Sequence, residues 1–339
     1  MAPKQASRAP AHGNTLPKML YIGGIGRNGS TLVGRVLGEA PGVLCVGETR
    51  YLRTRGLIDN VECGCGQPFR SCPFWGTVGE EAFGGWSRVN TERFAEVDRA
   101  ANRLRALPRY WMQSLRSDSA GTVSYDYISW FSRLYSAIAR VSGAKMIVET
   151  SKEPNFAWFL GQMPGNHMRI LHLVRDSRAV AYSWTRNKRL PSPIGEQKFM
   201  PQFSPAETAI RWLTSNAAFH TISTSCSRYT RVSYESFIAD PQKTLHKLSD
   251  YAEDSVVLPA PQLEGKKVKL EGHHIFSGNP MRANTGWIEM RLDDEWQTML
   301  PTPQFAEVTA ITYPLLRLYG YPVIPTARRD AVPSLFTLW

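Results

Sequence analysis

The sequence lacks a continuous apolar run of the ~18 residues or more that a membrane-spanning helix needs. Residues 1–17 are polar, contain Ala, Pro, Arg and Lys, and lack the apolar core of a secretory signal peptide. Internal repeats and low-complexity blocks are also missing. The 339 residues, of which 42% are apolar, can bury a large core. We therefore expect a soluble cytoplasmic protein that begins with a flexible tail over residues 1–17.

Cysteine is scarce, and its five copies are an odd number in a chain without an export signal, which favours reduced thiols. Cys63, Cys65 and Cys72 lie close together in the segment ECGCGQPFRSCPFW. A structural zinc site usually has four ligands, and the nearest fourth candidate is Cys45, because this segment contains no histidine. The sequence favours a thiol-lined or occasionally disulfide-linked loop, with zinc as the alternative.

Acidic residues are outnumbered by basic ones, 29 against 40, which gives a net charge of +11. Such a charge predicts an anionic partner, which could be a nucleic acid, a membrane surface or a highly charged small molecule. The basic residues are spread along the chain and form no run, and this spread argues against the first two partners. We expect a charged small molecule, with no nucleic acid and no membrane span.

A glycine-rich turn lies near the start of the chain. Residues 19–22 form an apolar run, glycines 23, 24, 26 and 29 surround Arg27, and a helical pattern begins at Ser30 and Thr31. This order predicts a buried strand, a turn and a helix N-terminus. Free backbone N–H groups and the helix dipole favour a bound phosphate at such a place. The sequence thus predicts an anion site here.

The turn lacks the lysine of an ATP-binding P-loop. Gly24 and Gly29 have the right separation, but Ser30 stands where the P-loop requires Lys directly after its second glycine. Arg27 is one cation that could lean over a group attached to the bound phosphate. Two alternatives stay open: a tight turn that binds nothing, and a P-loop small-molecule kinase or nucleotide-binding protein.

The spacing of apolar runs predicts an α/β fold. Strands are expected at residues 42–46, 145–149, 168–174 and 229–232, with helices at 91–115, 125–141, 205–226 and 305–318. A strand, a helix and a further strand at this spacing imply a right-handed crossover and a parallel sheet. We predict a P-loop-like three-layer α/β/α fold with a central parallel sheet.

The domain organisation follows from the same patterns. Residues 18–325 are expected to form a single domain, and 326–339 a C-terminal tail. Residues 60–86 show no clear period and are predicted to be irregular. Together with the helices that follow, they make residues 60–141 a mainly helical insertion, which we expect to cover the sheet and bind the second substrate, the acceptor.

Charged residues follow two of the predicted strands. Ligands of open α/β sheets gather beyond the carboxyl ends of strands, where Glu48 and Arg175 are expected to lie. Arg175 could grip a second phosphate together with Ser183 on the following helix. The alternatives are ion pairs on the protein itself, between Arg175 and Asp176 and between Glu48 and Arg50.

Four blocks in order, GIGRNGST, LVRDSRAVAYSW, VSYESFIADPQKTL and GHHIFSGNPMR, resemble the signature of sulfotransferases whose donor is 3′-phosphoadenosine 5′-phosphosulfate (PAPS). The resemblance implies that one group of residues wraps the 5′-phosphosulfate and that a second group holds the 3′-phosphate and nucleotide. The first group is Arg27, Asn28, Gly29, Ser30 and Thr31, and the second is Arg175, Ser183, Tyr234 and Arg282.

The chain departs from the best-known cytosolic sulfotransferases, which carry Lys at the position of Arg27 and a catalytic His. It looks more like the branch with carbohydrate-type, tyrosylprotein and bacterial enzymes, in which a glutamate is the base. The resemblance implies that Glu48 is this base and that Lys152, in the block SKEP, contacts the sulfuryl group. His273 and His274 are interpreted as ordinary loop histidines.

The resemblance further implies 3′,5′-diphosphoadenosine (PAP) as product and no required metal. The acceptor would be a hydroxyl of a small molecule, a glycoside or glycoconjugate, or a lipid. Beside the kinase, a nucleic-acid binding protein and an inactive binding module on this fold remain as alternatives. The sequence leaves the oligomeric state open, a homodimer included.

Overall fold

The computed structural model describes residues 16–102, 122–165, 167–189, 199–225, 228–252 and 262–325. Its centre is a five-stranded sheet with the order β2-β3-β1-β4-β5, in which every neighbouring pair is parallel. The strands are β1 Lys18–Gly23, β2 Val43–Gly47, β3 Met146–Lys152, β4 Met168–Val174 and β5 Tyr229–Ser233.

Helices cover both faces of this sheet. Successive side chains of a strand point to opposite faces. Accordingly, Tyr21 and Ile147 belong to one apolar cluster, and Leu20 and Val148 belong to another. The three-layer α/β/α fold predicted from the sequence is therefore confirmed. The helices are α1 Ser30–Gly38, α2 Pro73–Phe83, α3 Thr91–Ala101, α4 Thr122–Ser142, α5 Pro154–Gly161, α6 Ser177–Thr185, α7 Pro205–Ser225, α8 Tyr234–Ala239, α9 Pro241–Ala252, α10 Trp296–Met299 and α11 Thr302–Leu318.

The segment 60–86 is more regular than its sequence predicts, because it contains helix α2. Pro73 occupies the first turn of this helix, and Gly84 ends it in the left-handed conformation. Glycines inside the helix conceal the apolar period in the sequence. Gly79 allows close packing, since a Cβ there would lie 2.5 Å from the Trp86 ring.

A second sheet was not predicted. It is antiparallel and consists of β6 Leu263–Glu264, β7 Lys267–Leu270 and β8 Gly286–Glu289 in sequential order. Its strands are two to four residues long, too short for a period-2 pattern to stand out. Val268 and Leu270 pack into the same apolar cluster as helix α1.

Helices α3 and α4 form part of the predicted insertion. Helix α4 contributes an apolar stripe to the core, because Phe131, Leu134, Tyr135 and Ile138 are all at most 1% exposed. The later part of the helix predicted at 91–115 falls largely outside the described residues, as do residues 1–15 and the tail at 326–339. None of the helices in the described ranges is long and apolar enough to cross a membrane.

Candidate functional site

A cavity of about 870 Å³ opens at the carboxyl edge of the central sheet. The glycine turn after β1, the ends of β2, β3 and β4 and the loop at 277–284 all contribute to it. Among the described residues, eight basic side chains and four acidic ones line it. They are Arg27, Arg50, Arg55, Lys152, Arg175, Lys188, Arg211 and Arg291, and Glu48, Glu153, Glu289 and Asp293. The cavity is thus suited to an anion.

The turn between β1 and α1 brings backbone into the cavity wall. Gly29 caps α1 without any side-chain hydrogen bond, so the first N–H groups of the helix receive no cap from it. Its φ is +93°, and a Cβ at this position would lie 2.2 Å from Cδ2 of Tyr234. Glycine is therefore required both by the backbone and by the ring that packs against it.

Arg27 extends from this turn with a φ of +73°. Its guanidinium carbon lies 4.7 Å from the centre of the Trp184 ring. All three guanidinium nitrogens are buried and lack a hydrogen-bond partner within the described part of the chain. Burial lowers the pKa of Arg27 to about 10, with Glu48 raising it and Arg175 lowering it. A buried cation without hydrogen bonds is costly, so this group fits a bound anion.

Glu48 and Lys152 form an ion pair in the cavity. Lys152 ends β3 with a φ of +71°, and its Nζ also donates to the Thr150 carbonyl at 2.9 Å. Oε2 of Glu48 accepts from Ser277 Oγ at 3.3 Å. The alternative pair of Glu48 with Arg50 is wrong, because Arg50 pairs with Glu153. A carboxylate and an ammonium group thus stand together beside the glycine turn.

Arg175 follows β4 and is only 6% exposed. It donates to the carbonyl of Arg27 at 3.1 Å and to that of Asp293 at 3.1 Å, and its guanidinium lies 5.1 Å from the centre of the Tyr234 ring. The predicted alternative of a surface pair with Asp176 is wrong. Asp176 binds Arg178, at 2.7 Å between Oδ2 and NH2, and caps helix α6.

Ser183 and Tyr234 also line the cavity, with Ser183 on α6 and Tyr234 at the start of α8. Ser183 is 2% exposed and Tyr234 is 8% exposed. Burial raises the pKa of Tyr234, while the charge of Arg175 lowers it. Ser30 and Thr31 of the turn line the same cavity, so the structure brings these four predicted residues together.

Asn28 and Arg282 are not among the residues that line the cavity. Asn28 is fully buried; its side chain donates to the Leu173 carbonyl at 2.8 Å and accepts from the Ser30 N–H at 3.1 Å. It therefore ties the glycine turn to β4. Burial lowers the pKa of Arg282, and the charge of Arg55 lowers it further.

Several cavity residues were missed by sequence reasoning. Trp184 packs against Arg27, and Glu153 follows Lys152 directly. Lys188 lies beyond helix α6, and burial together with the charges of Arg27 and Arg186 lowers its pKa to about 8. Lys188 follows a helix and belongs to no recognisable motif, so the sequence alone did not indicate that it lines the cavity. Among the described residues of the insertion at 60–141, only Asn102 lines the cavity.

The two loop histidines have different surroundings. Nε2 of His273 lies 2.5 Å from the Arg282 carbonyl, and its Nδ1 accepts from the Ile275 N–H at 2.9 Å. Burial lowers its pKa to about 4, so this ring is neutral and structural. His274 instead meets the cysteines: its Nδ1 is 3.3 Å from Cys72 Sγ. The sequence interpretation missed this histidine as a partner of the thiols.

No protein-family model matches the chain, and no curated protein matches it. Among solved structures, a sulfotransferase domain from the curacin biosynthetic pathway is similar in backbone. It is 16% identical, the alignment covers 91% of this chain and 99% of that domain, and the TM-score is 0.48. The strand order and the two-sided core of this chain define its fold class independently of that similarity.

Proposed function

We propose that this protein is a sulfotransferase that moves a sulfuryl group from PAPS to a hydroxyl of a small-molecule, glycoside or lipid acceptor. The observation that carries the proposal is the buried guanidinium of Arg27, which lacks a hydrogen-bond partner among the described residues and stands in the same cavity as Glu48 and Lys152. Anion binding at a glycine turn alone would suit many proteins. The added carboxylate and ammonium favour a transfer reaction at that turn.

The donor is a polyanion with phosphate groups at both ends of its ribose. The glycine turn with Arg27 would hold the 5′-phosphosulfate through backbone N–H groups and the guanidinium. Arg175 and Ser183 would hold the 3′-phosphate, and the Nε of Arg175 is buried and without a partner in the described ranges. The cavity of about 870 Å³ lies within the range of ~300–1,000 Å³ usual for ligand sites.

Glu48 would act as general base. It would take the proton from the acceptor hydroxyl while the acceptor oxygen forms its bond to sulfur and the bond between sulfur and the 5′-phosphate oxygen breaks. PAP leaves with the bridging oxygen, and Glu48 later releases the proton to solvent. Such help by a base is typically worth ~10² to 10⁴ in rate, provided that the base is within hydrogen-bond reach.

Lys152 and Arg27 would stabilise the charge that develops on the bridging oxygen and the sulfonate. Lys152 has three N–H donors, of which Glu48 and the Thr150 carbonyl each take one. The third can therefore reach a sulfonate oxygen without breaking the ion pair with the base. Arg27 brings three buried nitrogens that a sulfonate can satisfy. Preorganised charge of this kind is usually the largest catalytic contribution.

The +11 charge and the basic cavity support an anionic donor without a nucleic acid partner. A P-loop kinase would need a cation on the outer phosphates directly after the second glycine, where the chain has Ser30. Because the donor is already activated, the proposed reaction needs no metal ion.

Donor binding is tested first, by heating the protein with PAP, with ATP and magnesium, or with random DNA. We expect that, of the three, only PAP raises the melting temperature. At a PAP concentration 100 times the Kd of its complex, the unfolding free energy should increase by about 2.7 kcal/mol. Stabilisation by ATP and magnesium instead would favour the kinase, and a salt-dependent effect of DNA would favour nucleic-acid binding.

The Arg175→Ala variant should lose most of this affinity in calorimetry. Because Arg175 also holds two backbone carbonyls, Arg175→Lys serves as a milder variant that keeps the charge but loses the fork. Arg93→Ala, at an exposed ion pair, is the matched control and should bind PAP normally. Unchanged binding by both Arg175 variants would contradict the assignment.

The reaction itself is tested by incubating candidate acceptors with PAPS and searching for the gain of one sulfonate group by mass spectrometry. A product that forms only with PAPS and the intact protein supports the proposal. A protein that binds PAP but sulfonates none of a broad panel of phenols, glycosides and lipids, and that does not hydrolyse PAPS, would support an inactive binding module.

A further inference from the structure

Three cysteines and a histidine from distant parts of the chain meet away from the cavity. The sulfur atoms of Cys63, Cys65 and Cys72 and a ring nitrogen of His274 all lie within 4.8 Å of one another. None of the four residues lines the cavity. Cys63 and Cys72 are 1% exposed, Cys65 is exposed, and His274 is half-buried. We call this group the Cys3His cluster.

Its distances are those of ligands around one metal ion. Cys65 Sγ and Cys72 Sγ are 3.6 Å apart, and His274 Nδ1 lies 3.3 Å from Cys72 Sγ and 3.9 Å from Cys63 Sγ. With Zn–S bonds of about 2.3 Å and Zn–N bonds of about 2.0–2.1 Å, a tetrahedral site has S–S edges of about 3.8 Å and S–N edges of about 3.6 Å. All four ligand atoms lie within 4.8 Å of one another, so movements of at most about 1 Å would close the cluster around zinc.

Contacts that do not involve the ligand atoms hold the two loops together. The N–H of Gly64 donates to the Ile275 carbonyl at 2.9 Å, and Trp75 Nε1 donates to the His274 carbonyl at 2.6 Å. The Phe74 ring stacks on the His274 ring, with centroids 4.8 Å apart and planes at 15°. The imidazole is thus oriented before any ion binds.

We propose that Cys63, Cys65, Cys72 and Nδ1 of His274 bind one zinc ion in a closed structural site. Three thiolates and one imidazole are a donor set that selects zinc among the common divalent ions. Four protein ligands leave no open position for a substrate, so the ion is structural. On binding, the three thiols release their protons to solvent, and the ion with its thiolates carries a net charge of −1.

The ion would join two loops whose ligands Cys72 and His274 are 202 residues apart in the sequence. One is the cysteine segment before helix α2, and the other carries His274, Ser277 and Gly278. Ser277 donates to Glu48, and Gly278 lines the cavity. Zinc would therefore stabilise one wall of the candidate site from outside it, and its loss should loosen that wall.

The test is the metal content of the full chain, purified without chelator and measured by inductively coupled plasma mass spectrometry. We expect about one zinc per chain. Cys65→Ser removes a ligand at an exposed position, and His274→Ala removes the only nitrogen ligand. Each should weaken zinc binding by at least about 100-fold. Mutation of a residue that only hydrogen-bonds to a metal ligand already lowers metal affinity by about 10- to 100-fold, and loss of the ligand itself should have a larger effect.

Cys45→Ser is the matched control. Cys45 is also a buried free thiol, but it lies on β2 outside the Cys3His cluster. This variant should retain about one zinc per chain. Circular dichroism shows whether each variant folds, and the zinc content of the unmodified chain decides the matter if a ligand variant does not.

Three results would overturn the proposal. The first is an unmodified chain without zinc that also fails to bind added Zn²⁺ when reduced. The second is a disulfide between two of the three cysteines, seen as a mass loss of two hydrogens that persists in the presence of Zn²⁺. The third is iron with acid-labile sulfide in place of zinc. All these measurements are independent of PAP binding, so a negative result for zinc would not contradict the proposed function, and a negative result for PAP would not contradict the zinc site.

Discussion

Arg27 shows how one residue can indicate a ligand. A guanidinium prefers to be hydrogen-bonded when it is removed from water, yet its three nitrogens are buried with no partner in the described ranges. Burial lowers its pKa only to about 10, so it stays charged near neutral pH. The Trp184 ring provides a surface on one side of it. The other side of this cation is therefore available to an anion at the glycine turn.

Glu48→Gln should separate binding from chemistry. The amide keeps the size of the side chain but cannot accept the acceptor's proton. We expect PAP affinity to stay within about threefold, while turnover falls by ~10² to 10⁴. Calorimetry measures the first quantity, and product formation by mass spectrometry measures the second once an acceptor is known.

Glu153→Gln is the matched comparison, because Glu153 also lines the cavity but pairs with Arg50. This variant should keep most of its turnover. An active Glu48→Gln enzyme beside an inactive Glu153→Gln enzyme would transfer the role of base to Glu153.

Because the pKa of Lys188 is lowered, we expect donor binding to depend on pH. Its pKa is lowered to about 8 by burial and by neighbouring arginines, so it is charged at pH 7 and largely neutral at pH 9. The phosphates of PAP titrate near pH 6, so the ligand's charge is constant in this window. PAP affinity should fall about 3- to 10-fold from pH 7 to 9 in calorimetry, a change of roughly 1 kcal/mol.

Lys188→Gln should remove most of this fall, whereas Lys145→Gln, at an exposed position, should retain it. Binding at pH 8 should also take up protons, because a bound anion raises the pKa of the lysine. Equal pH profiles for the unmodified chain and Lys188→Gln would exclude Lys188 from the donor site.

At the scale of the element, the glycine turn between β1 and α1 is stabilised by contacts with neighbouring elements as well as by its own residues. Asn28 ties it to the end of β4, and the N–H of Gly24 donates to the Lys152 carbonyl at 3.2 Å. Tyr234 packs directly against Gly29. The turn is thus held by the ends of two neighbouring strands and by the first residue of helix α8, so its backbone conformation is fixed by contacts on several sides.

Gly29→Ala should disrupt this turn. The new Cβ would meet Tyr234 Cδ2 at 2.2 Å at a φ of +93°, so either the ring or the backbone must move. We expect a loss of about 1–3 kcal/mol in unfolding free energy and at least a 10-fold loss of PAP affinity. Urea denaturation and calorimetry measure the two effects.

Gly165→Ala separates backbone strain from the clash. Gly165 has a φ of +72°, but a Cβ there would meet no atom within 4 Å. The Gly165→Ala substitution should lower the unfolding free energy by about 1–2 kcal/mol and leave PAP affinity unchanged. If Gly29→Ala bound PAP as well as Gly165→Ala does, the turn would not be the phosphate site.

At the scale of the whole molecule, the sheet is stabilised by apolar clusters on both faces, and one face contains a buried histidine network. His172 on β4 is fully buried, with Nδ1 2.5 Å from Tyr229 Oη and Nε2 2.7 Å from Asn216 Oδ1. Burial lowers its pKa to about 3. The ring therefore stays neutral in the folded protein.

This network predicts loss of stability in acid. The ordinary pKa of histidine is about 6.5, so between pH 6.5 and 3 the unfolded chain binds a proton at His172 that the folded chain does not. From pH 7.5 to 5, this residue should remove about 2 kcal/mol of unfolding free energy. Urea denaturation of His172→Gln should show a correspondingly smaller decrease over that range.

The exposed His246 is the control, and His246→Gln should decrease in stability as the unmodified chain does. A His172→Gln variant with the same pH dependence as the unmodified chain would show that His172 is protonated in the folded state.

The sequence by itself determined the parallel sheet, the glycine turn and the placement of Glu48 and Arg175 at one edge. These features depend on local patterns, because apolar runs specify strands and the carboxyl ends of parallel strands necessarily meet. The tertiary structure alone decided which side chains pair across loops. It brought His274 to Cys72, 202 residues away, and left Arg282 outside the cavity lining. Irregular loops have no period, so their contacts depend on packing between distant segments, which no local pattern encodes.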